Sequence, residues 1–206
     1  MSIIDLFQIF TGIKMIDIVT VYHNKINKQQ AENLQARLAE IEPDCNFFTH
    51  SNEEDNLGFA KACNLKAALG NAEIIGFLNP DVKILNRFSD KVIDIMKNPE
   101  IVITGNRFNK SSRELKIWGV NDWVCGASFF VKRDFFEQVG GFDERFVWSW
   151  EETHMIRTAE SMGFSVRSYE LPIKHSSPEI NSAEDSEYKN RYFNLGSKIY
   201  YNHWSK

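Results

Sequence analysis

An acidic side chain follows one of the most apolar segments of the sequence. Asp81 closes the triplet Asn79-Pro80-Asp81, directly after the apolar run at residues 74–78. In open α/β sheets, ligands bind beyond the carboxyl ends of the strands, so a carboxylate here could hold a divalent cation against a diphosphate. The alternative is a simple strand-ending turn, because Asn, Pro and Asp all favour turns.

Two adjacent carboxylates, Glu151 and Glu152, follow an aromatic run at residues 146–150. Rings beside a helix start exclude water, which raises the pKa of a carboxyl group, and one of the pair could then act as a general base toward a hydroxyl group. Acidic residues also favour the first turn of a helix because they complement its dipole. The residues alone leave both interpretations open.

Two further positions are candidates for binding an anion or a metal ion. Gly58 precedes a predicted helix, where a glycine lets a phosphate approach the free N–H groups of the helix start, although an ordinary helix entry explains it as well. His175 follows a predicted strand. Its neutral imidazole could complete a metal site with Asp81, although a lone histidine is more often structural.

The elements that must position these groups alternate between β and α. In the first half, the patterns predict strand, helix, strand, helix and strand at residues 16–22, 28–41, 46–50, 57–69 and 74–78. The second half has predicted helices at 88–97, 133–139 and 151–162, strands at 101–104 and 165–169, an apolar stretch at 123–131 broken at Gly126, and a helical tail from Asp185. We expect Gly105 to end the strand at 101–104 and residues 107–122 to be irregular. The alternation predicts an α/β fold with a doubly wound sheet.

The composition is that of a single globular domain. The chain has 206 residues, of which 43% are hydrophobic and 25% charged. A net charge of −4 and the lack of a long basic run in the sequence argue against nucleic acid as a partner. Cys45, Cys63 and Cys125 have neither a paired nor a metal-type spacing, which predicts free thiols in a reducing, cytoplasmic compartment.

The two ends of the chain raise the question of membrane contact. Residues 1–14 precede the first predicted strand and are expected to be an N-terminal extension; their apolar run contains Asp5 and is far shorter than the ~20 residues of a spanning helix. Tyr, Trp and Lys share residues 198–206, a mixture found at membrane interfaces, although helix packing explains it as well. We therefore expect membrane contact to be peripheral at most.

Taken in order, several segments resemble the family 2 glycosyltransferases of the GT-A fold, especially small rhamnosyltransferase-like members, from residue 16 to about 204. Each segment is weak evidence alone, and their order makes the resemblance specific. The segments are VTVYHN at 19–24, NLGFA at 56–60 with Asn64, FLNPDV at 77–82, DWVCGA at 122–127, VGGFDERF at 139–146, Glu151-Glu152, Gly163 and His175.

The resemblance implies a role for each matched residue. Asp81 matches the last acid of the family's metal-binding motif and His175 matches a further ligand, so the implied cofactor is a divalent cation, Mn²⁺ or Mg²⁺. Glu152 matches the catalytic base, with Glu151 beside it as the other candidate. The residues implied to bind the nucleotide and the donor sugar are Thr20, Val21, Tyr22, Asn24, Asn52, Gly58, Asn64, Asn79, Gly126 and Ala127.

The resemblance also implies an organisation and an activity. It implies one GT-A domain at residues 15–206, with a mostly parallel Rossmann-like sheet flanked by helices, a nucleotide-sugar-binding part at about 15–105 and an acceptor and catalytic part at about 106–206. The implied reaction is inverting transfer of rhamnose or another hexose from a UDP-, GDP- or dTDP-sugar to a glycan or lipid-linked glycan, as in polysaccharide biosynthesis.

The chain departs from the family pattern at three places. Asn52 ends a segment where the family has an acid that reads the nucleobase, His154 replaces a later acid, and the arginine expected near Thr158 is absent from that position. These departures keep a second hypothesis open, a nucleotide- or glycan-binding module without catalysis. A third hypothesis is a nucleotidyltransferase of related fold, against which the lack of a glycine- and lysine-rich activation loop in the sequence argues.

Overall fold

Strands and helices alternate along the chain in a computed structural model that describes residues 14–23, 25–107, 110–175 and 183–205. The strands are β1 (Ile16–Tyr22), β2 (Cys45–Ser51), β3 (Ile74–Leu78), β4 (Val82–Ile84), β5 (Ile101–Arg107), β6 (Val124–Lys132), β7 (Ser165–Tyr169) and β8 (Ile173–His175). The helices are α1 (Lys25–Ile41), α2 (Asn52–Asp55), α3 (Phe59–Ala67), α4 (Ser89–Met96), α5 (Ser112–Trp118), α6 (Arg133–Gln138), α7 (Glu151–Ser161) and α8 (Ala183–Trp204).

The central sheet has six strands in the order β2-β1-β3-β6-β5-β7. Neighbouring strands are parallel except at β6, which runs antiparallel to both β3 and β5. The predicted α/β fold with a mostly parallel sheet flanked by helices is confirmed. Because β6 is reversed, its first residues lie at the edge where β1 and β3 end, and Leu78 pairs with Ser128 there.

The sheet has an apolar core on each face. β1 and β3 are rich in Ile and Val and are buried along almost their whole length, as expected for strands covered on both sides. Consecutive side chains of a strand point to opposite faces, so Phe129 packs with Phe77 and Phe142 in one core, while Phe130 packs with Phe88 in the other. Both cores fix the position of the ends of β1, β3 and β6.

A separate two-stranded ladder joins β4 to β8 in antiparallel register. Val82 pairs with His175 across this ladder, and the backbone N–H of Leu85 donates to the carbonyl of Pro172 at 2.8 Å. The ladder therefore brings the residue before Val82 beside His175, although the two are far apart in the sequence.

The structure differs from the sequence predictions in the region after β4. Gly105 does not end the strand, since β5 continues to Arg107, whose partner is Val124. A Cβ atom at Gly105 would lie 2.1 Å from the carbonyl oxygen of Ser128, so the glycine allows β6 to approach closely. Gly126 likewise lies within β6 and does not interrupt it.

Residues 107–122 were expected to be irregular, but α5 forms within them. Ser111 accepts a hydrogen bond from the backbone N–H of Glu114, whose carboxylate accepts from the Ser111 backbone, which is a capping box. Ser followed three residues later by Glu is a sequence signal for the start of a helix, and it indicates α5. None of the side chains of α5 is buried, which explains why an apolar pattern did not reveal this helix.

The two ends of the chain bear on the predicted membrane contact in different ways. Residues 1–13 of the predicted N-terminal extension lie outside the described residues. The predicted helical tail is α8, and no helix in the described part of the chain is long and apolar enough to cross a bilayer. The half of α8 that contains Tyr200 packs against Phe146 and Trp150.

Candidate functional site

A cleft of about 210 Å³ lies beyond the carboxyl ends of β1 and β3. This is the edge at which open α/β sheets bind their ligands. Seven of the predicted site residues line it: Val21, Tyr22, Asn52, Gly58, Asn79, Asp81 and His175. Further lining side chains come from the ends of other elements: His23, Asn27, Asn56, Phe59, Pro80, Val147, Trp148, Tyr188 and Lys189.

Asp81 and His175 meet at the wall of this cleft. Nε2 of His175 lies 3.1 Å from Oδ2 of Asp81, and the two side chains are 26% and 13% exposed. The β4–β8 ladder sets this contact, because it pairs His175 with the residue that follows Asp81. A carboxylate oxygen and an imidazole nitrogen thus face the same cleft from adjacent positions.

The donor set of this pair fits a divalent cation of the Mn²⁺ type, which accepts both oxygen and imidazole ligands. Among the residues that the structure describes, no group of three or more His, Cys, Asp or Glu side chains is arranged to hold a metal ion. Two protein ligands suffice where a substrate phosphate supplies further oxygens, as is usual for cations bound with nucleotides. Asp81 and His175 could therefore supply two ligands to a cation bound in the cleft.

The start of α3 borders the cleft with a glycine in a special conformation. Gly58 has φ +80°, and a Cβ atom there would lie 3.1 Å from Cγ1 of Val147 and 3.2 Å from its Cα. The N–H of Phe59 donates to the carbonyl of Val147 at 2.9 Å. The glycine is required for the loop at residues 146–150 to lie against the start of α3, and no side chain caps this end of the helix.

Asn52 lies at the base of the cleft, immediately after β2. The residue is 6% exposed, and its amide oxygen Oδ1 has no hydrogen-bond partner. A buried amide oxygen without a partner costs on the order of 1–3 kcal/mol, so a ligand N–H that reaches it would be favoured. This is the position at which the family resemblance implies contact with a nucleobase.

Glu151 and Glu152 begin α7 and are both buried. Their exposed fractions are 5% and 9%, and one carboxylate oxygen of each has no hydrogen-bond partner. Burial raises the pKa of Glu151 well above its usual value, and the adjacent charge of Glu152 raises it further. Burial also raises the pKa of Glu152, against hydrogen bonds from its own backbone and Thr153 and the positive charge of Lys110.

The two carboxylates face different surroundings. Glu152 lies against β6, since a Cβ atom at Gly126 would be 3.6 Å from its carboxyl carbon. The charge of Glu151 instead contributes to the raised pKa of Cys63, a fully buried thiol of α3 whose pKa is raised mainly by burial. Glu152 therefore faces the strand that borders the cleft, and Glu151 faces the core under α3.

A short chain of contacts joins Glu152 to the cleft. Asn79, which lines the cleft, donates its backbone N–H to the carbonyl of Ala127 at 3.1 Å, and Ala127 follows Gly126. Burial raises the pKa of the Cys125 thiol to about 11, and the negative charges of Glu152 and Asp81 both add to this rise. Both carboxylates therefore lie close enough to Cys125, at the start of β6, to act on its thiol.

The backbone just before α7 is strained. Ser149 and Trp150 have φ of +67° and +77°, a region that L-residues other than glycine rarely adopt. Gly196 of α8 packs against them, because a Cβ atom there would lie 2.9 Å from Cδ1 of Trp150 and 3.1 Å from the carbonyl oxygen of Ser149. The last turns of α8 therefore hold the segment that presents Glu151 and Glu152.

Comparisons with known proteins identify the fold. No family model matches the sequence, and no curated protein matches it. Among solved structures, the mannosyltransferase PcManGT from Pyrobaculum calidifontis, in complex with GDP-Man and Mn²⁺, superposes with a TM-score of 0.54 at 16% identity over 75% of this chain and 54% of its own. GalNAc-T7 with UDP, GalNAc and Mn²⁺ superposes with a TM-score of 0.51 at 12% identity, over 91% of this chain and 50% of its own. S. aureus TarS superposes with a TM-score of 0.52 at 11% identity, over 87% of this chain and 43% of its own.

The chain has the GT-A fold. It spans about half the length of the solved proteins that it matches. At these identities the similarity extends to the fold, so the roles of individual residues depend on the geometry of this chain.

The GT-A fold of this chain leaves several predicted site residues away from the cleft. Thr20 is fully buried in β1, and Gly126 and Ala127 lie beside the cleft on β6. Asn64 uses its amide to accept from the Phe142 N–H at 2.9 Å and to donate to the Phe142 carbonyl at 2.8 Å. It thereby holds the glycine turn before Phe142, and Asn24 lies outside the described residues.

Sequence reasoning missed the residues that enter the cleft from later parts of the chain. Trp148 comes from the loop before α7, and Tyr188 and Lys189 come from α8. The helical tail was predicted, but its sequence pattern did not indicate which elements it would pack against. In the GT-A fold of this chain, α8 reaches both the cleft and the strained segment before α7.

Proposed function

We propose that this chain is a glycosyltransferase that moves a sugar from a nucleoside-diphosphate sugar to a hydroxyl acceptor with inversion at the anomeric carbon. The observation that carries the proposal is that the cleft with Asp81 and His175 is joined through Asn79 and the start of β6 to a buried carboxylate, Glu152. One side can hold the leaving diphosphate and the other can accept a proton, as transfer to a hydroxyl group requires.

The donor binds in the cleft, with its base toward Asn52 and its diphosphate toward Asp81 and the start of α3. The partnerless amide oxygen of Asn52 suits an N–H of a nucleobase, and the helix start at Gly58 suits a phosphate. Two structures of the same fold, the mannosyltransferase and GalNAc-T7, were solved with GDP-Man or UDP and with Mn²⁺, which supports a donor of this class.

Asp81 and His175 are the residues that would hold the divalent cation. When bound there, the cation supplies positive charge that stabilises the departing diphosphate. The close contact of the two side chains keeps both donor atoms on the cleft wall. Asn79 precedes them and, through its backbone hydrogen bond to Ala127, ties this wall to the start of β6.

Glu152 is the base in this proposal, and Glu151 is not. The carboxyl carbon of Glu152 comes within van der Waals distance of the space beside Gly126, whereas Glu151 faces the buried thiol of Cys63. The raised pKa of Glu152 makes its ionised form a stronger base than a solvated carboxylate. It would take the proton of the acceptor hydroxyl as the oxygen attacks the anomeric carbon.

Finer aspects of the proposal come from the family resemblance. We infer family 2 membership, rhamnose or another hexose as the transferred sugar, and a glycan or lipid-linked glycan acceptor, as in polysaccharide biosynthesis. The division into a donor part before about residue 106 and an acceptor part after it belongs to the same proposal. So do a cytoplasmic location and the absence of nucleic acid among its partners.

Ligand-dependent stability tests the proposal without an acceptor. The midpoint of thermal unfolding is measured with UDP, GDP and dTDP, each with and without Mn²⁺, because a ligand that binds the native state raises the midpoint. We expect one nucleotide to raise it in a Mn²⁺-dependent manner. The matching nucleotide sugars are then incubated with the protein and the products are identified. Release of nucleoside diphosphate supports transfer, release of pyrophosphate indicates a nucleotidyltransferase, and binding without turnover of any donor indicates a module without catalysis.

A further inference from the structure

A lysine from the C-terminal helix enters the donor cleft, and neither the family resemblance nor the sequence pattern assigned it a role. Of the described residues that line the cleft, Lys189 is the one Lys or Arg. It comes from α8, which follows β1 and β3, the strands whose ends form the cleft, by more than one hundred residues. Asp81 is the one Asp or Glu among the same residues, so the described lining combines one carboxylate with one ammonium group.

Two neighbouring contacts hold this part of α8 against the cleft. The ring of Tyr188 stacks on His23 with centroids 5.7 Å apart, and its hydroxyl donates to Oδ1 of Asn56 at 3.4 Å. Nζ of Lys189 lies 5.5 Å from the ring centroid of Trp148, within the range of a cation–π contact. The ammonium group is therefore placed by a ring that itself lines the cleft.

The charge of the expected ligand makes this placement significant. The diphosphate of a nucleotide sugar carries negative charge before the reaction, and more gathers on its β-phosphate as the bond to the sugar breaks. A divalent cation held by Asp81 is already partly neutralised by that carboxylate. A lysine is a compact charge that binds phosphate well, and a second positive charge in the same cleft would offset the negative charge that remains.

We propose that Lys189 is a diphosphate-binding residue that stabilises the leaving group, an inference that rests on the proposed function. In the transfer step the bond between the anomeric carbon and the β-phosphate oxygen breaks, and its electron pair stays on that oxygen. The acceptor oxygen forms the new bond to the anomeric carbon, and its proton passes to Glu152. Lys189 keeps its own proton throughout and contacts the phosphate through its ammonium group.

The competing explanation is that Lys189 only packs against Trp148. Lys189→Met separates the two, because methionine retains an unbranched apolar side chain for the ring but has no charge. Lys189→Gln is a second uncharged variant in case the first is poorly folded. Lys189→Arg keeps the charge, and Lys198→Met removes an exposed lysine from the same helix as the matched control.

Calorimetric titrations with Mn²⁺ present measure the binding of UDP, GDP and dTDP and of the three matching nucleoside monophosphates. For the nucleoside diphosphate that the wild type binds, we expect Lys189→Met and Lys189→Gln to weaken binding about tenfold to a hundredfold. Binding of the matching monophosphate should change less than about threefold, since the lost contact is to the second phosphate. Lys189→Arg and Lys198→Met should bind like the wild type.

Three results would overturn the inference, and they differ in whether the proposed function is also overturned. Equal diphosphate binding by Lys189→Met and the wild type removes the role of Lys189 and leaves the proposed function standing. An equal loss for the monophosphate and the diphosphate shows a general effect of the helix on the cleft. If the wild type binds none of the three diphosphates, the proposed function fails, and the inference fails with it.

Discussion

Two pairs of titratable side chains lie at the same edge of the sheet in different surroundings. Asp81 and His175 contact each other at 3.1 Å and remain open to the cleft. Glu151 and Glu152 are buried at the start of α7, and each has a carboxylate oxygen without a partner. The first pair lines an open cleft, whereas burial raises the pKa of both carboxyl groups of the second pair.

Under the proposed function, this difference separates two kinds of chemistry at one edge of the sheet. A carboxylate that holds a cation needs access to the ligand, and Asp81 lines the open cleft, where the β4–β8 ladder places His175 beside it. A carboxylate that must take a proton benefits from a higher pKa, and burial at a strained helix start supplies that for Glu152. Substitutions on either side of this contrast should therefore have different consequences.

The largest effect is expected for Glu152→Gln. If Glu152 is the base, its loss should lower kcat for sugar transfer by about 10²- to 10⁴-fold, and nucleotide affinity should stay within about twofold. Steady-state kinetics with the nucleotide sugar that the turnover experiment selects, together with calorimetry, measure both quantities. Glu137→Gln is the control, because that side chain is 63% exposed and lies on α6. An equal loss in Glu151→Gln with no loss in Glu152→Gln would assign the base to Glu151.

Removing the carboxylate on the cation side should have a different signature. Asp81→Asn keeps the shape of the side chain and removes its charge, so we expect the Mn²⁺-dependent part of nucleotide binding to fall about tenfold to a hundredfold. Binding measured without Mn²⁺ should hardly change. Asp94→Asn, at an exposed site of α4, is the control. If Mn²⁺ increases nucleotide affinity equally in Asp81→Asn and the wild type, the cation binds elsewhere.

The buried acidic pair should make stability depend on pH. A carboxyl group whose pKa is higher in the folded than in the unfolded state takes up protons on folding, so its stabilising effect is complete below the unfolded pKa of about 4.3. Burial is the main cause of the raised pKa of Glu151. The stabilising effect is therefore lost as the pH rises through that raised pKa. Glu151→Gln should therefore raise the unfolding midpoint at pH 8 by a few degrees, since about 1 kcal/mol moves it by about 2–4 °C.

Thermal melts between pH 4.5 and pH 8 check this expectation. The difference between Glu151→Gln and the wild type should shrink toward zero at the acid end, and Glu137→Gln should show no such trend. A midpoint difference that stays constant over this range would mean that Glu151 does not titrate there.

The smallest effect is expected where α8 packs on the strained segment. Alanine in place of glycine within a helix ordinarily stabilises by about 0.5–1 kcal/mol. Gly196→Ala should instead lower the unfolding midpoint by a few degrees and kcat severalfold, because the new Cβ would press on Ser149 and Trp150. Asn194→Ala, at an exposed position of α8, is the control. A gain in stability for Gly196→Ala would show that α8 does not hold this segment.

The sequence predicted the parts of the molecule that local patterns determine. The runs of Ile and Val that form β1 and β3 gave both strands at their observed bounds, because a strand covered on both faces must be continuously apolar. Asp81 was predicted at a strand end for the same local reason. The capping box at Ser111 was also a local signal, and with it α5 could have been predicted.

What the sequence did not predict depends on contacts between distant segments. His175 was expected to join Asp81, but the ladder between β4 and β8 that brings the two together has no signal in the sequence spacing. The residues alone could not decide whether Glu151 or Glu152 is the base. The two are adjacent on one helix and differ only in the direction in which their side chains point. Lys189 lines the cleft because α8 packs beside it. The sequence pattern of α8 shows which of its residues share a face, but it does not show which elements that face contacts.

The pairing of Arg107 with Val124 has a consequence for how such a chain can diversify. It fixes the two ends of the intervening segment side by side, so residues can be added within this segment without separating β5 from β6. Doubling the length of such a loop costs only about 0.6 kcal/mol in closure entropy. The segment carries Lys110, whose positive charge acts on Glu152, whereas Asp81 and His175 belong to other elements. Under the proposed function, a longer segment would change the surroundings of the base and leave the residues on the cation side in place.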